Sequence, residues 1–375
     1  APFGSAVGGV LRGLPAASSA PPSVTPETDA HPEARAPVAP VHGPHEVHHM
    51  NADESNPSQD TASDGTGAPT RVGYVAVVGR PNAGKSTLMN AMVGEKLSIV
   101  TPKAQTTWQR VTGILSDEES QMVFLDTPGL LEVRDRMQAS MLQAAHQALE
   151  EADVVLLVID AERFKTDRDG GVLKEALELS RAPVIAGINK VDLVTPERVD
   201  ALSRWAGEEL DATPLAVSAL TGDGVDRLLE ELKHSLPAGP YLYPPDEIAS
   251  EPVRFFVAEM IRETVFEQFR QEIPYSVACE IGEFRESEDP VYIQATLFAD
   301  RQPQKRILIG EKGRAIRTLG QAARGKIEAF LERPVYLDLW VKVLPGWRRQ
   351  PRHLRRLGFR VVDDKEGTGR KLSLI

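Results

Sequence analysis

Short apolar runs alternate with amphipathic stretches from residue 71 to residue 238, and this alternation organises most of the chain. Strand-like runs fall at Tyr74–Val78, Val111–Leu115, Met122–Leu125, Val154–Ile159, Val184–Ile188 and Leu215–Val217. Helical patterns lie between most of them. They predict helices at Val172–Ser180 and Pro196–Leu210, the latter with Thr195 as N-cap and Pro196 at the first helical position. Alternating strands and helices predict an α/β domain, a largely parallel sheet flanked by helices. Residues 239–252 hold Pro240, Pro244, Pro245 and Pro252 and read as an extended linker. A second pattern follows. Ala258, Ile261, Val265 and Phe269 recur at helical spacing, and Pro274 marks a stop. Tyr275–Glu283 and Val291–Phe298 read as strands, a helix runs through about Leu331, and Val335–Leu344 reads as a last strand. The order α-β-β-α-α-β predicts an α+β domain over residues 253–345, followed by a basic segment over 346–375.

Composition changes the picture at both ends. Residues 1–70 are rich in Ala, Pro, Ser, Asp and His, with eight acids against Arg12 and Arg35. Such a segment cannot bury enough apolar surface to offset chain entropy and is expected to be disordered. It lacks the layout of a signal peptide and is too acidic for a typical transit peptide. His42, His45, His48 and His49 could gather a metal, but a solvated polar tail is the simpler reading. Met50 offers a start site, the residues before it then being an upstream extension. The single cysteine, Cys279, excludes an internal disulfide. No apolar run approaches the roughly 20 residues that cross a bilayer. The net charge of −11 argues against nucleic acid until its distribution is read. From Pro303 to Arg360 there are 15 Lys and Arg against four acids. That tract suits a phosphate backbone. Trp340, Trp347, Arg348, Arg349 and Phe359 lie near its end and could stack on bases, though Trp340 alternates with Leu337, Leu339 and Val341 as a core residue would.

The chemistry sits in the loops. Gly79-Arg80-Pro81-Asn82-Ala83-Gly84-Lys85-Ser86 fits the phosphate-binding pattern G-x-x-x-x-G-K-[ST], between a strand and a helix that opens at Thr87. Main-chain N–H groups and the helix N-terminus there favour a phosphate chain, Lys85 reaches the β- and γ-phosphates, and Ser86 can hold Mg²⁺. Asn189-Lys190-Val191-Asp192 follows an apolar run. The Asp192 carboxylate can accept both the N1–H and the N2–H of guanine, a pair adenine does not offer. The run resembles the guanine-reading N-K-x-D element of P-loop GTPases, which implies that Lys190 lies along the base and Asn189 ties this loop to the phosphate loop. Asp126-Thr127-Pro128-Gly129 follows a strand and resembles the D-x-x-G element of those enzymes, which implies that Asp126 holds Mg²⁺ through water and the Gly129 N–H senses the γ-phosphate. Ser218-Ala219-Leu220 is similar to the S-A-[KL] loop that backs the guanine there. Further on, Gly310-Glu311-Lys312-Gly313-Arg314 is a G-x-x-G turn between two helices in the basic tract. Glycines there let the backbone approach single-stranded RNA, and Lys312 and Arg314 add charge.

These motifs, in this order and with Lys103-Ala104-Gln105-Thr106-Thr107 between the first two, resemble the Era family of the TrmE–Era group of P-loop GTPases, in which a type II KH domain follows the GTPase domain. Pro274-Tyr275-Ser276-Val277 and Leu339-Trp340-Val341-Lys342-Val343 are similar to Era as well. The resemblance covers roughly residues 71–360. It implies GTP hydrolysis to GDP, slow without RNA, binding near the 3′ end of small-subunit ribosomal RNA, and a role in 30S subunit assembly. It implies a cytoplasmic protein with peripheral association at the inner face of the cell membrane; the oligomeric state stays open, with a monomer favoured. It implies catalytic roles for Lys85, Thr106, Asp126 and Gly129, and Mg²⁺ ligation by Ser86 and a switch threonine, Thr106 before Thr107. Leu130 stands where Ras-like enzymes carry a water-orienting glutamine, as in other members of the group. In some relatives an asparagine at the fourth loop position holds K⁺; Asn82 occupies it here. Two alternatives stay open: a GTPase acting in tRNA modification or at membranes, and a non-hydrolysing RNA-binding module.

Overall fold

The computed structural model describes residues 70–361, apart from 102, 104, 105, 131 and 132. The expected disordered tail therefore lies outside the described residues except for Thr70, as do the histidine cluster, Met50, Ala104, Gln105 and the end of the basic segment.

β1 (Arg71–Gly79), β2 (Val111–Ser116), β3 (Ser120–Asp126), β4 (Val154–Asp160), β5 (Val184–Asn189) and β6 (Thr213–Ala216) form one sheet in the order β2-β3-β1-β4-β5-β6. β2 runs antiparallel against β3, and the other pairs are parallel. Each of the six apolar runs overlaps one strand. β3 and β4 are buried along their whole length, as expected for a sheet covered on both faces. α1 (Lys85–Val93), α2 (Arg136–Glu151), α3 (Thr166–Leu177), α4 (Pro196–Leu210) and α5 (Val225–Ser235) supply the cover. Val75 and Val77 of β1 pack with Leu88 and Met89 of α1 and Leu228 and Leu232 of α5. Ala76 and Val78 face the other way, toward Leu149 of α2, Leu173 of α3 and Leu202 of α4. α3 begins six residues before the expected Val172. Gly170 and Gly171 weaken the helical pattern there, but the Lys165 N–H donates to Asp169 at 2.9 Å and secures the first turn.

The proline-rich stretch is bound to the first domain. Gly113 and Ala249 form a bridge, the Ile114 N–H donates to the Ile248 carbonyl at 2.9 Å, and the Gln121 side chain holds main-chain groups of Leu242 and Tyr243.

α6 (Val253–Gln268) and α7 (Ile273–Ser276) open the second domain. β7 (Val277–Arg285), β8 (Val291–Ala299), α8 (Gln302–Ile309), α9 (Arg314–Leu331) and β9 (Val335–Val343) complete it, with α10 (Pro351–Arg356) after the last strand. β8 is central, antiparallel to β7 and parallel to β9. Tyr275 lies in α7 instead of in a strand, because Pro274 is seated in the first turn of that helix. Val257, Ile261 and Val265 of α6 meet Leu319, Ala323 and Ile327 of α9 over the inner face of β8. α6 also carries Phe256 into the core of the first domain and Phe266 into a mixed cluster. A helix apolar on several sides is buried on several sides. The mixed cluster joins Trp108, Met137 and Met141 to Phe266, Trp347, Leu354 and Phe359. Trp347 is 0% exposed and Phe359 5%, so neither can stack on bases. Burying a side chain of this size stabilises by about 2–3 kcal/mol. Trp340, by contrast, is 51% exposed on the outer face of edge strand β9.

Candidate nucleotide site and RNA loop

Residues 80–84 connect the central strand β1 to α1, so the loop opens at the carboxyl end of the sheet. Asn82 and Gly84 take positive φ values of 65° and 96°, which turn the loop back on itself. The N-terminus of α1 has no side-chain cap, leaving its N–H groups for an anion. Lys85 is buried, and its Nζ donates to the carbonyls of Gly79 at 3.3 Å and Arg80 at 3.2 Å. Burial pushes its pKa down to about 8, with the Asp126 charge opposing. Gly129 lies against the loop: a Cβ there would meet the Pro81 nitrogen at 2.7 Å.

Ser86, Thr107 and Asp126 meet in one corner. The Ser86 hydroxyl donates to Asp126 Oδ2 at 2.7 Å and lies 3.0 Å from Thr107 Oγ1, which is 3.4 Å from the same carboxylate oxygen. Asp126 Oδ1 is buried with no partner among the described residues, and burial raises the pKa of its carboxyl. An orphaned carboxylate oxygen beside two hydroxyls is a set of hard oxygen donors that fits Mg²⁺. Thr107, not the expected Thr106, faces this corner. Neighbours in an extended segment point to opposite sides. Thr106 turns away, donating its hydroxyl to the Lys103 carbonyl at 2.8 Å and meeting Thr101 at 2.9 Å. The Thr127 hydroxyl donates to the Val77 carbonyl at 2.9 Å. Pro128 is buried beside it. Leu130 is 2% exposed within the sheet core, and its N–H donates to the Gly79 carbonyl at 3.1 Å. It is a packing residue with no hydrogen bond to offer.

The guanine loops are cross-braced. Asn189 Nδ2 donates to the Ala83 carbonyl at 2.9 Å, and its Oδ1 accepts from the N–H groups of Lys190 and Ala219. Lys190 Nζ reaches the Asn82 carbonyl at 2.8 Å and Asp160 at 2.5 Å. Val191 and Asp192 begin a single 3-10 turn, and the Ser218 hydroxyl donates to Asp192 Oδ1 at 2.6 Å. Ser218 and Ala219 are buried, while Leu220 is 82% exposed. Asp160 escaped the sequence reading, although its place at the end of a strand beside N-K-x-D was the available signal.

The second loop is built differently. Gly310, Lys312 and Gly313 all have positive φ, at 71°, 52° and 75°. A Cβ on Gly310 would meet the Ala315 Cβ at 2.6 Å, so α9 itself requires that glycine, and not only an approaching phosphate. A Cβ on Gly313 would meet nothing within 4 Å. Glu311, Lys312 and Arg314 are exposed, and no side-chain hydrogen bond or ion pair holds them among the described residues.

A phosphate-loop motif, a corner of oxygen donors that fits Mg²⁺ and an N-K-x-D loop on a doubly covered sheet, joined to a G-x-x-G domain, are the features of a P-loop GTPase with a KH domain. Family profiles agree: one described as a 50S ribosome-binding GTPase matches residues 74–190, and one described as a KH domain matches residues 272–348. GTPase Era of Nitratidesulfovibrio vulgaris (strain Miyazaki F) is 42% identical over 302 residues, 77% of this chain and 97% of that protein. GTPase Era of Mesorhizobium japonicum is 44% identical over 293 residues, covering 77% and 94%. The chain belongs to the Era family of GTPases. A crystal structure of Era in complex with MgGDPNP and nucleotides 1506–1542 of 16S ribosomal RNA matches 78% of this chain and 100% of that one, with TM-score 0.75 and 39% identity. A variant of Aquifex aeolicus Era bound to GDP and AlF4⁻ matches over the same shares with TM-score 0.74 and 39% identity.

Proposed function

We propose that this chain hydrolyses GTP to GDP, binds small-subunit ribosomal RNA near its 3′ end, and assists assembly of the 30S subunit. The observation that carries the reading is a complete guanine-nucleotide site and a G-x-x-G loop in one chain, matched along the full length of an Era whose structure holds both ligands. Lys85 and the loop N–H groups bind the β- and γ-phosphates. Ser86 and Thr107 would hold Mg²⁺, with Asp126 acting through water. Bound there, the ion neutralises charge that develops on the phosphates. Gly129 senses the γ-phosphate through its N–H. Asp192 reads guanine, Lys190 lies along the base, and Ser218 braces Asp192. K⁺ binds beside Asn82. Gly310–Arg314 clamps single-stranded RNA. The reading takes the chain as a cytoplasmic monomer. It takes any membrane contact as peripheral; no helix of the described residues is long and apolar enough to cross a bilayer.

The test compares two RNAs in the presence of GDPNP, one with the small-subunit 3′-end sequence and one scrambled, with a tRNA as a third competitor. Preferential binding of the first is expected. Equal binding of both would remove the ribosomal target, and tighter binding of tRNA would favour the tRNA-modification alternative.

A further inference from the structure

Arg262 belongs to α6 of the KH domain, yet its side chain ends in the GTPase domain. It is 2% exposed. Nε and Nη2 donate to the two carboxylate oxygens of Glu259 at 2.8 and 2.6 Å, and Nη2 also donates to the main-chain carbonyl of Thr106 at 2.5 Å. The guanidinium carbon lies 4.3 Å from the Trp108 ring centroid and 5.5 Å from that of Phe266. Both neighbours of Thr107 are thus held from the KH side, Thr106 by its carbonyl and Trp108 by its ring. We infer that Arg262 is a positioning residue for GTP hydrolysis, fixing residues 106–108 so that the Thr107 hydroxyl stays in the corner formed with Ser86 and Asp126. The inference rests on the GTPase reading and deepens it.

Burial of a guanidinium is costly, and Nη1 is buried here with no partner among the described residues. An apolar side chain would pack α6 against Trp108 and Phe266 at lower cost. It could not donate to the Thr106 carbonyl, and that bond is what distinguishes arginine at this position. Other contacts restrain the same segment. Lys103 Nζ donates to the carbonyls of Phe266 and Phe269 at the end of α6. Glu263, 3% exposed in its side chain, accepts from Lys96 at 2.9 Å in the GTPase domain and from Lys326 at 2.7 Å on α9, the helix that starts at the RNA loop. One KH helix therefore touches both the switch segment and the RNA-binding helix.

The test uses the full chain with Arg262→Lys, which keeps the charge but lacks the planar fork that holds both Glu259 oxygens and the Thr106 carbonyl at once. Misplacing a metal-binding group should lower kcat for GTP about tenfold with KM within about threefold. The Mg²⁺ concentration needed for half-maximal GDPNP binding should rise about tenfold. GDP affinity should stay within about twofold, since Lys85 and Asp192 carry it. Glu259→Gln, which loosens the fork without emptying the site, should move kcat and the Mg²⁺ requirement the same way by about threefold. Unchanged kcat and Mg²⁺ dependence in both variants would overturn the inference. So would a loss of GDP affinity parallel to the loss of kcat, which marks a role in the fold alone. Absence of turnover in the wild type would overturn the GTPase reading separately, while the Mg²⁺ dependence of GDPNP binding would still decide the role of Arg262.

Discussion

The nucleotide site and the proposed RNA loop are built in opposite ways. Around the nucleotide, nearly every functional side chain is already committed: Asn189 braces two loops, Lys190 is paired with Asp160, and Ser218 holds Asp192. Around Gly310–Arg314 the backbone is shaped by positive φ angles while the charged side chains are exposed and unpaired among the described residues. A braced site discriminates, because a wrong ligand leaves buried groups unsatisfied. An exposed turn follows a phosphate backbone and contributes affinity that salt weakens.

Asp192→Asn should have the largest effect, since two hydrogen bonds to a charged acceptor are lost at about 1.5–3 kcal/mol each. GTP affinity should fall on the order of a thousandfold. Xanthosine triphosphate should gain, because the amide can donate to its added oxygen. Equal loss for both nucleotides in competition binding would take Asp192 off the guanine edge. Gly313→Asp attacks the other side of the comparison by aiming a carboxylate at an incoming phosphate. RNA affinity should fall about thirtyfold at moderate salt, with GDP affinity unchanged. Unaltered RNA binding in a filter assay would take the G-x-x-G loop out of RNA binding.

A smaller effect follows from the depressed pKa of Lys85. In the nucleotide-free protein its ammonium loses a proton as pH rises through about 8, and the proposed contact with the phosphates needs the charged form. GDP affinity should be flat below that pH and fall about tenfold per unit above it. A titration flat to pH 9.5 would contradict this. The smallest expected effect is the response to K⁺. Leu130 is buried in the core, so charge between the β- and γ-phosphates needs a partner other than a glutamine. Turnover should be about threefold higher in K⁺ than in Na⁺, well short of a complete arginine-finger effect. Asn82→Ala should abolish the difference and keep guanine selectivity; equal rates in both salts with RNA bound would refute the role.

The two regions also differed in how far the chain announced them. The phosphate, metal and guanine loops were legible because each needs particular side chains at fixed spacing after a strand. The G-x-x-G turn was legible only in its setting, and the packing need at Gly310 was hidden because it depends on a Cβ five residues away. The sequence ranked Thr106 before Thr107 and the structure places Thr107 in the corner, since the choice turns on which way an extended segment faces. α6 showed only one apolar stripe although it is buried on several sides, and Trp347 and Phe359 looked available for stacking until their packing around Trp108 was seen. Contacts between domains have no periodicity to read.

The decisive measurement is GTP turnover by the full chain, with and without an RNA carrying the small-subunit 3′-end sequence. Hydrolysis should be slow alone and rise about tenfold or more when that RNA is bound, because α6 joins the switch segment to the helix that starts at the G-x-x-G loop. No hydrolysis in either condition, or the same rate with RNA demonstrably bound, would contradict it.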